Sequence, residues 1–349
     1  MNKSDKSNLI HLRTSKPLPY LWPMNGLSIV VKMMENVGID KGVLLEGSGI
    51  HPCDLDNPNF FISPEQELRV WNKIPMMTEI LNIGLIIGRQ YHAGVVGKLG
   101  MAALNSNTFL DAIRLVFKYI SLIPSYFHFD LKVKANLAFL TMKEAINPKD
   151  IPVIVCESEF VSACRMGNDV LGEPFLLNEI RFAYPKPVYA SDYQDVFQCP
   201  VVFNAPGHMM IFDKEFLFRN LPLSNPMARK IYEKECEELY LLIKEQETVS
   251  GQVRHRILSK DKGLPTLSMV AKSMNMSPST LKRRLREEGS SFRDIVTESL
   301  KQKAIDMIQK PSYTMDQVAI TLGYSDLSNF YRAFKSWTGH NPGYYRKKR

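Results

Sequence analysis

The sequence has few cysteines and lacks long apolar runs. Its five Cys residues in a chain of 349 are scattered, with no Cys-x-x-Cys pair and no Cys/His cluster at zinc spacing. The longest charge-free stretch, residues 196–212, is interrupted by Pro and polar side chains, whereas a membrane helix needs about 20 mostly apolar residues. The first 13 residues lack the apolar segment of a signal peptide. We therefore expect a cytoplasmic protein with no membrane span and with reduced, mostly buried thiols, a redox role for one thiol being the alternative.

Catalytic motifs are also scarce. The glycine-rich segment 94–100 fits neither the Walker pattern nor G-x-G-x-x-G, because no Gly-Lys-Ser/Thr follows it. Gly47-Ser48-Gly49 lacks the spacing of a nucleophile elbow. No two of the seven His are four residues apart, so their spacing proposes no metal site. The sequence therefore predicts no catalytic residue, no metal ligand and no cofactor.

The basic charge is confined to the C-terminal part of the chain. Residues 1–250 carry 25 Lys and Arg against 28 Asp and Glu, a net charge of −3, whereas residues 251–349 carry 19 against 8, a net charge of +11. Such asymmetry indicates an acidic partner for the basic part, either nucleic acid or a membrane surface. The length suits two domains.

Two helix-turn-helix patterns lie in the basic part. The first begins at the predicted cap Thr266, and its second helix begins at Ser277-Pro278, a cap followed by Pro at the first helical position. The second pattern begins at Thr314, with Gln317 completing a capping box. Equivalent positions of the two patterns are 48 or 49 residues apart. The spacing therefore indicates an internal duplication of a helix-turn-helix.

A predicted helix over residues 291–308 connects the two units, with its apolar side chains on one side. About 18 helical residues span about 27 Å, a little less than the roughly 34 Å of one DNA turn. A helix of this length can hold two reading helices near successive major-groove segments on one face of DNA.

At these motifs, residues from about 251 to 349 resemble the DNA-binding domain of the AraC/XylS family of bacterial transcription regulators. The second unit carries the resemblance most strongly, at Gln317-Val318-Ala319, Leu322-Gly323-Tyr324-Ser325, residues 329–335, Thr338-Gly339 and residues 341–346. The first unit matches at Val270-Ala271, Met276-Ser277 and Leu281-Lys282-Arg283. The resemblance implies an all-α domain of about seven helices with two reading helices.

The outward faces of the two reading helices supply the candidate DNA-binding residues. They are Ser279, Lys282, Arg283 and Arg286 in the first, and Leu327, Ser328, Tyr331, Arg332 and Lys335 in the second. The resemblance implies that all of these except Arg286 and Lys335 match positions that face base edges, where Arg or Lys pairs with guanine and Leu or Tyr packs on a thymine methyl. Arg284 and residues 346–349 are expected at phosphates. For each charge the alternative is a solvated helix face, and Phe330 and Phe334 are expected in the core.

The N-terminal part is predicted to be an α+β domain, helical first and rich in strands later. Alternation of apolar and polar side chains over residues 127–141 predicts a β-hairpin, and residues 152–170 predict a helix. Residues from about 20 to 215 resemble the arabinose-binding-like domain of one branch of the same family. The cues include Gly84-Leu85-x-x-Gly88, three glycines at 94, 97 and 100, and Ser106-x-Thr108-Phe109-x-x-Ala112.

A sensor domain of this kind needs a partly apolar pocket with a few polar groups. Four side chains could orient a carboxylate, namely His128, Arg165, Arg181 and His208. They suggest an amphipathic or acidic effector, although each also fits an ordinary core or surface position.

The sequence thus predicts a tail at 1–19, an effector-binding and regulatory domain at 20–224, linking helices at 225–258 and the double helix-turn-helix at 259–349, with a flexible segment at 259–265. The expected function is a sequence-specific transcription regulator, an activator, that binds double-stranded promoter DNA, RNA polymerase and a small-molecule effector as a homodimer. Two alternatives stay open: a constitutive regulator whose N-terminal domain only dimerises, and an enzyme tethered to DNA.

Overall fold

The computed structural model describes residues 10–14, 21–57, 60–258, 266–309 and 313–347, so the predicted flexible segment 259–265 lies outside the described residues. The chain divides into two compact units, Met1–Ile243 and Lys244–Arg349. The first combines a sheet with helices, whereas the second is helical. This confirms the predicted order of an α+β domain followed by an all-α domain. No helix among the described residues is long and apolar enough to cross a membrane.

The helices that begin in the first unit are α1 (Asn25–Asn36), α2 (Lys41–Leu45), α3 (Pro64–Met77), α4 (Ile83–Gly88), α5 (Lys98–Leu104), α6 (Phe109–Lys118), α7 (Val153–Leu171), α8 (Ala190–Phe197), α9 (Glu215–Phe218) and α10 (Pro226–Gln246). Their starts follow local capping chemistry. Ser63 accepts from the Gln66 N–H at 3.3 Å while the Gln66 side chain accepts from the Ser63 N–H at 3.0 Å, which is a reciprocal capping box. Thr108 caps α6 by accepting from the Asp111 N–H at 3.2 Å.

The strands are β1 (His11–Arg13), β2 (Trp22–Pro23), β3 (Phe61–Ile62), β4 (Phe127–Lys134), β5 (Leu137–Glu144), β6 (Leu177–Arg181), β7 (Val201–Val202) and β8 (His208–Asp213). Six of them form a sheet in the order β1-β4-β5-β8-β6-β7, and β2 pairs with β3 separately. The predicted hairpin is confirmed as β4 and β5, which pair from Phe127 with Glu144 to Lys134 with Leu137. β1 lies within the interval expected to be an N-terminal tail and pairs with β4.

Helix α7 packs closely on α4 because of a glycine. A Cβ built on Gly84 would lie 2.7 Å from the Ile154 Cα and 2.5 Å from the Ile154 carbonyl oxygen. Such distances leave no space for a side chain, so glycine permits the two helix backbones to approach. This contact explains one glycine of the Gly84-Leu85-x-x-Gly88 cue.

The second unit contains α11 (Val249–Leu258), α12 (Leu267–Ser273), α13 (Pro278–Glu287), α14 (Phe292–Ile308), α15 (Met315–Thr321), α16 (Leu327–Thr338) and α17 (Pro342–Lys347). Within its described residues these are seven helices, the number that the resemblance implies. The predicted caps are confirmed, with Thr266 accepting from the Met269 N–H at 3.3 Å and Ser277 from the Thr280 N–H at 3.1 Å. Thr314 and Gln317 form the predicted capping box.

Helix α14 belongs to two hydrophobic cores at once. Its N-terminal part contributes Ile295 to the core that contains Leu281 and Leu285 of α13. Its C-terminal part contributes Leu300 and Ala304 to the core around Phe330 and Phe334 of α16. The 17 residues of α14 correspond to about 26 Å at 1.5 Å per residue. One continuous helix therefore supports both helix-turn-helix units.

The two helices expected to link the domains are divided between the units. Helix α10 packs on the first unit, where Cys236 and Ile243 are buried together with Leu99, Leu115 and Leu122. Helix α11 instead buries Val253 and Ile257 in the core of the second unit.

Candidate nucleic-acid interface and ligand cavity

Helix α13 presents a basic face to solvent. Leu281 and Leu285, one turn apart, are buried in the core of the first helix-turn-helix. The opposite side carries the predicted DNA-binding residues, which are all exposed: Ser279, Lys282, Arg283 and Arg286. The 3.6-residue period of the helix separates the two sets, because the residues that hold α13 on the core cannot also face outward.

The start of α13 has the chemistry of an anion site. Pro278 occupies the first helical position, and the Ser277 and Ser279 hydroxyls lie 2.8 Å apart. Free N–H groups and hydroxyls at a helix N-terminus suit a DNA phosphate. Farther along, the Arg283 guanidinium donates to Glu287 at 2.6 Å. Both side chains are exposed, so this ion pair contributes little to stability and leaves Arg283 able to exchange Glu287 for a base edge.

Helix α16 has the same division between a buried and an exposed side. Phe330 and Phe334 are fully buried, which confirms their predicted place in the core. Ser328, Arg332 and Lys335 are exposed, whereas two further candidates are half-buried against the second core: Leu327 and Tyr331. These five side chains form one outward-facing set, and their contact with DNA stays a prediction.

The cap of α16 positions one of the candidate DNA-binding residues. Asp326 is the N-cap and accepts from the Asn329 N–H at 2.7 Å. The Asn329 side chain also bonds to Asp326 and accepts from Arg332. Arg332 is therefore held in position by a short polar chain that begins at the cap.

Arg346 bonds to backbone carbonyl groups of its own unit. It follows Tyr345, whose ring packs edge-on against Phe334 with centroids 5.4 Å apart. Its guanidinium donates to the carbonyl oxygens of Ile308 at 3.4 Å and Tyr313 at 2.5 Å. These bonds connect α17 to the end of α14 and to Tyr313, and the contact of Arg346 with phosphate stays a prediction. Residues 348–349 lie outside the described residues.

The first unit contains a partly open cavity of about 200 Å³. Its wall is largely apolar, with side chains from α6, β4, β5, α7 and β8, among them Phe109, Ile113, Val116, Phe129, Leu140, Met142 and Met210. The polar groups on the wall include Glu67, Tyr91, Ser125, Tyr126 and Glu159. A concave, mostly apolar site with a few polar groups has the character of a small-molecule site.

Two carboxyl groups of the cavity wall meet at Tyr126. The Tyr126 hydroxyl donates to Glu67 at 3.1 Å, while the Tyr126 N–H donates to Glu159 at 3.0 Å. Ser125 adds a hydroxyl donor to Glu159 at 2.8 Å. Burial raises the pKa of Glu67 to about 7, against the hydrogen bond from Tyr126, which lowers it. Burial also raises the pKa of Glu159 to about 8, against hydrogen bonds from Tyr126 and Ser125.

The sequence itself matches known families over both units. A family model described as the arabinose-binding domain of AraC transcription regulators, N-terminal, matches residues 38–221, which is more than half of the chain. A helix-turn-helix family model matches residues 270–348, which include α13 and α16. The chain belongs to the AraC family of transcription regulators.

This AraC-family chain is 26% identical over 331 residues to the ornithine utilization regulator of Pseudomonas aeruginosa, covering 94% of this chain and 96% of that protein. It is 24% identical over 323 residues to the transcriptional regulator VirS of Mycobacterium tuberculosis, covering 90% and 93%. Among solved structures it is similar to the transcriptional regulator CdpR of Pseudomonas aeruginosa, with 20% identity, a TM-score of 0.44, and coverage of 80% and 90%. These relatives are named as regulators, not as enzymes.

The structure does not bring the four effector-binding candidates of the AraC-family chain together at the cavity. Of the described residues on the cavity wall, none is one of these four. Arg165 is exposed on α7, and the Arg181 guanidinium bonds to Glu179. His208 is buried and lies 3.1 Å from Glu144 on the neighbouring strand, and burial lowers its pKa. His128 is half-buried on β4, and burial also lowers its pKa.

Sequence reasoning missed the carboxyl groups of the AraC-family cavity. Glu67 sits in a helix whose first turn also carries Glu65, an ordinary acidic turn. Its burial could have been suspected from spacing, since Glu67 lies three residues from Val70, four from Trp71 and seven from Ile74, all of which are buried. Glu159 has similar neighbours in α7, next to Phe160. A charged residue at a position of the apolar helical stripe is thus the sequence signal that could have indicated these buried carboxyl groups.

Proposed function

We propose that this chain is a ligand-responsive, sequence-specific transcription regulator that acts as a homodimer on double-stranded promoter DNA. The observation that carries the proposal is the wall between the cavity and α10. Leu99 and Leu122 line the cavity and also belong to the hydrophobic cluster that buries Cys236 and Ile243 of α10. A molecule in the cavity would therefore touch the side chains on which α10 rests.

Helix α10 is well placed along the chain to pass on such a change. It is fixed to α6 by polar contacts as well as apolar ones, since the Tyr119 hydroxyl donates to Glu237 at 2.5 Å and Lys118 to Glu233 at 3.2 Å. It ends three residues before α11 begins. A ligand shifts the balance between DNA-binding states only through its different affinity for them, and repacking under α10 supplies such a difference.

The reading part of the proposal rests on α13 and α16. Their exposed basic faces, the +11 charge of residues 251–349 and the support of both helices by α14 favour DNA over a membrane surface. We propose that Ser279, Lys282 and Arg283 read one major-groove segment and that Leu327, Ser328, Tyr331 and Arg332 read the next, with Arg286 and Lys335 beside them.

Homodimer formation, activation and contact with RNA polymerase are parts of the same proposal. Several apolar side chains of α10 are more than half exposed and support pairing with a second copy: Met227, Ile231, Leu241 and Leu242. The place of action is the cytoplasm, where bacterial promoter DNA lies. The alternative of a constitutive regulator would leave the cavity and its two carboxyl groups without a role.

The test is footprinting of genomic DNA with the purified full chain. We expect discrete protected sites, each covering two adjacent major-groove segments on one face of the duplex. An R283A/R332A double variant should lose the discrete sites, whereas a control R114A variant in the first unit should keep them. Protection that is uniform along the DNA would overturn sequence-specific reading.

The melting temperature of the full chain, measured with a broad panel of metabolites, tests the alternative. A constitutive regulator would show the footprints but no change in melting temperature with any metabolite.

A further inference from the structure

The polar end of the cavity in the first unit is formed by two acidic side chains, Glu67 and Glu159. Tyr126 joins them, because its hydroxyl donates to Glu67 and its N–H donates to Glu159. The Tyr126 hydroxyl also lies 3.2 Å from the Pro64 carbonyl oxygen at the start of α3. Glu67 is only 2% exposed, and Tyr126 likewise. The hydroxyl and the N–H of Tyr126 thus each hold one carboxyl group, and the backbone of α3 helps to position the hydroxyl.

This polar end has carboxyl groups but no countercharge from the protein. Among the described residues that line the cavity, none is Lys, Arg or His. Each ionised carboxylate disfavours the other, since the charge of Glu67 raises the pKa of Glu159. Near neutral pH the raised pKa values leave these carboxyl groups largely protonated in the empty cavity. An acidic ligand would find no cationic side chain on the described part of the wall, which is costly in a buried site. A cationic head would instead favour the ionised form of a carboxyl group and donate charge-assisted hydrogen bonds to it.

The rest of the wall determines the other half of the ligand. Aromatic and aliphatic side chains surround the space, including Phe109, Phe117, Ile113 and Met142. Burial of hydrocarbon against such a wall is favourable by about 25 cal/mol for each Å² of apolar surface removed from water. A small polyhydroxylated molecule could not pair its hydroxyl groups along this wall.

We infer that the cavity binds an apolar organic cation, a molecule with a hydrocarbon body and a protonated amine, with Glu67 and Glu159 receiving the ammonium group. This inference rests on the proposed function, because it names the ligand class of the same cavity. It keeps the amphipathic character expected from the sequence and replaces an acidic head with a basic one.

The experiment compares three probes of equal chain length on the purified full chain near neutral pH: n-octylamine, 1-octanol and n-octanoate. Binding is measured by calorimetry and by the shift in melting temperature. We expect octylamine to bind at least tenfold more tightly than octanol, and octanoate most weakly. Glu67→Gln and Glu159→Gln should each reduce octylamine binding to the level of octanol. Octanol binding should not change, which shows that the cavity is intact.

Two controls locate the effect. Glu65→Gln removes an exposed carboxyl from the same helix as Glu67 and should leave all three affinities unchanged. Ala163→Phe places a ring in the cavity wall and should abolish binding of both octylamine and octanol. Octylamine binding that survives Ala163→Phe or both Gln variants would overturn the inference, as would equal or tighter binding of octanoate.

Failure of the inference is distinguishable from failure of the proposed function. Tighter binding of octanoate would still show a ligand-binding cavity, so the proposed function would stand with another ligand class. If none of the three probes binds, the inference of an apolar cation is overturned, whereas discrete DNA footprints would still support sequence-specific DNA binding. Absence of discrete footprints would overturn the proposed function whichever probe binds.

Discussion

Glu288, which directly follows α13, caps the start of α11 by accepting from the backbone N–H of Ser250 at 2.8 Å. The other carboxylate oxygen accepts from the Val249 N–H at 2.7 Å, so one side chain satisfies two free donors of α11. Burial opposes ionisation of Glu288, but hydrogen bonds from Ser250 and Val249 outweigh it and lower its pKa. The position of α13 is thereby tied to the first helix of its unit.

Replacing Glu288 by Ala should therefore destabilise the second unit and weaken DNA binding together. We expect a loss of about 1 kcal/mol in the free energy of unfolding, the usual cost of a lost helix cap. Chemical denaturation followed by circular dichroism measures it. Glu298→Ala, an exposed carboxylate on α14, serves as the control and should cost far less. Equal losses for the two variants would mean that the Glu288 contacts do not fix α11.

Arg283 and Arg332 should contribute sequence specificity. Replacing either by Ala should cost about 1–3 kcal/mol of binding to the preferred site and relax selection at one base position. Arg284, exposed on the same helix as Arg283, is the matched comparison. Its Ala variant should weaken binding to all sequences alike. The slope of the logarithm of the binding constant against the logarithm of the salt concentration should fall by about one, the value for one lost phosphate contact. Wild-type affinity and selectivity in both R283A and R332A would show that these helices were wrongly assigned as readers.

Arg346 should act on stability rather than on DNA. Its Ala variant loses charged hydrogen bonds to the carbonyl oxygens of Ile308 and Tyr313, each worth about 1.5–3 kcal/mol at most. We expect a lower melting temperature of the second unit with an unchanged salt dependence of DNA binding. A reduced salt slope at unchanged melting temperature would instead place Arg346 at a phosphate.

The carboxyl groups of the cavity should make the first unit less stable as the pH rises. Because the pKa of Glu67 is raised from 4.5 to about 7 and that of Glu159 to about 8, the folded state holds protons that the unfolded state has released. This stabilisation is complete below pH 4.5 and is lost as the pH rises through 7 and 8. The groups that face them, Tyr91 and Tyr126, stay neutral, since burial raises their pKa further.

Melting temperatures of Glu159→Gln between pH 5 and 9 check this dependence. The variant should melt higher than the wild type at pH 8 to 9 and show a flatter profile, with Glu65→Gln following the wild type. Glu157 on the same helix has its pKa raised to about 7 by burial, against hydrogen bonds from Tyr193 and Tyr189, so some slope should remain. A wild-type profile in Glu159→Gln would mean that Glu159 is ionised in the folded protein.

The features that could be predicted from sequence are those with a local cause. The capping box of Thr314 and Gln317 and the buried pair Phe330 and Phe334 follow from short-range spacing, and the structure confirms both. The order of the two domains followed from motifs and charge. Local patterns also predicted the hairpin, because alternation over residues 127–141 has only one plausible structure.

The features that could not be predicted depend on contacts between distant segments. β1 is three residues long and exists because it pairs with β4 more than 100 residues later. In the sequence, Arg346 looks like part of an ordinary basic tail. Its hydrogen bonds to the carbonyl oxygens of Ile308 and Tyr313 exist because the fold brings these residues together. The cavity likewise forms where segments far apart in the chain come together, among them α3, α5, α6, β4, β5, α7 and β8. The side-chain chemistry of the four effector candidates does not reveal which residues line it.

The sharing of α14 between two cores also constrains the DNA that this chain can recognise. Inserting one residue in the middle of α14 would rotate its two halves by about 100° relative to each other. Leu300 and Ala304 could then no longer face the second core while Ile295 faces the first. The separation of α13 and α16 is therefore set by a rigid helix and not by an adjustable linker. If α13 and α16 read adjacent segments as proposed, a promoter that gains or loses a base pair between those segments should lose one of the two contacts, and no simple change in α14 should restore it.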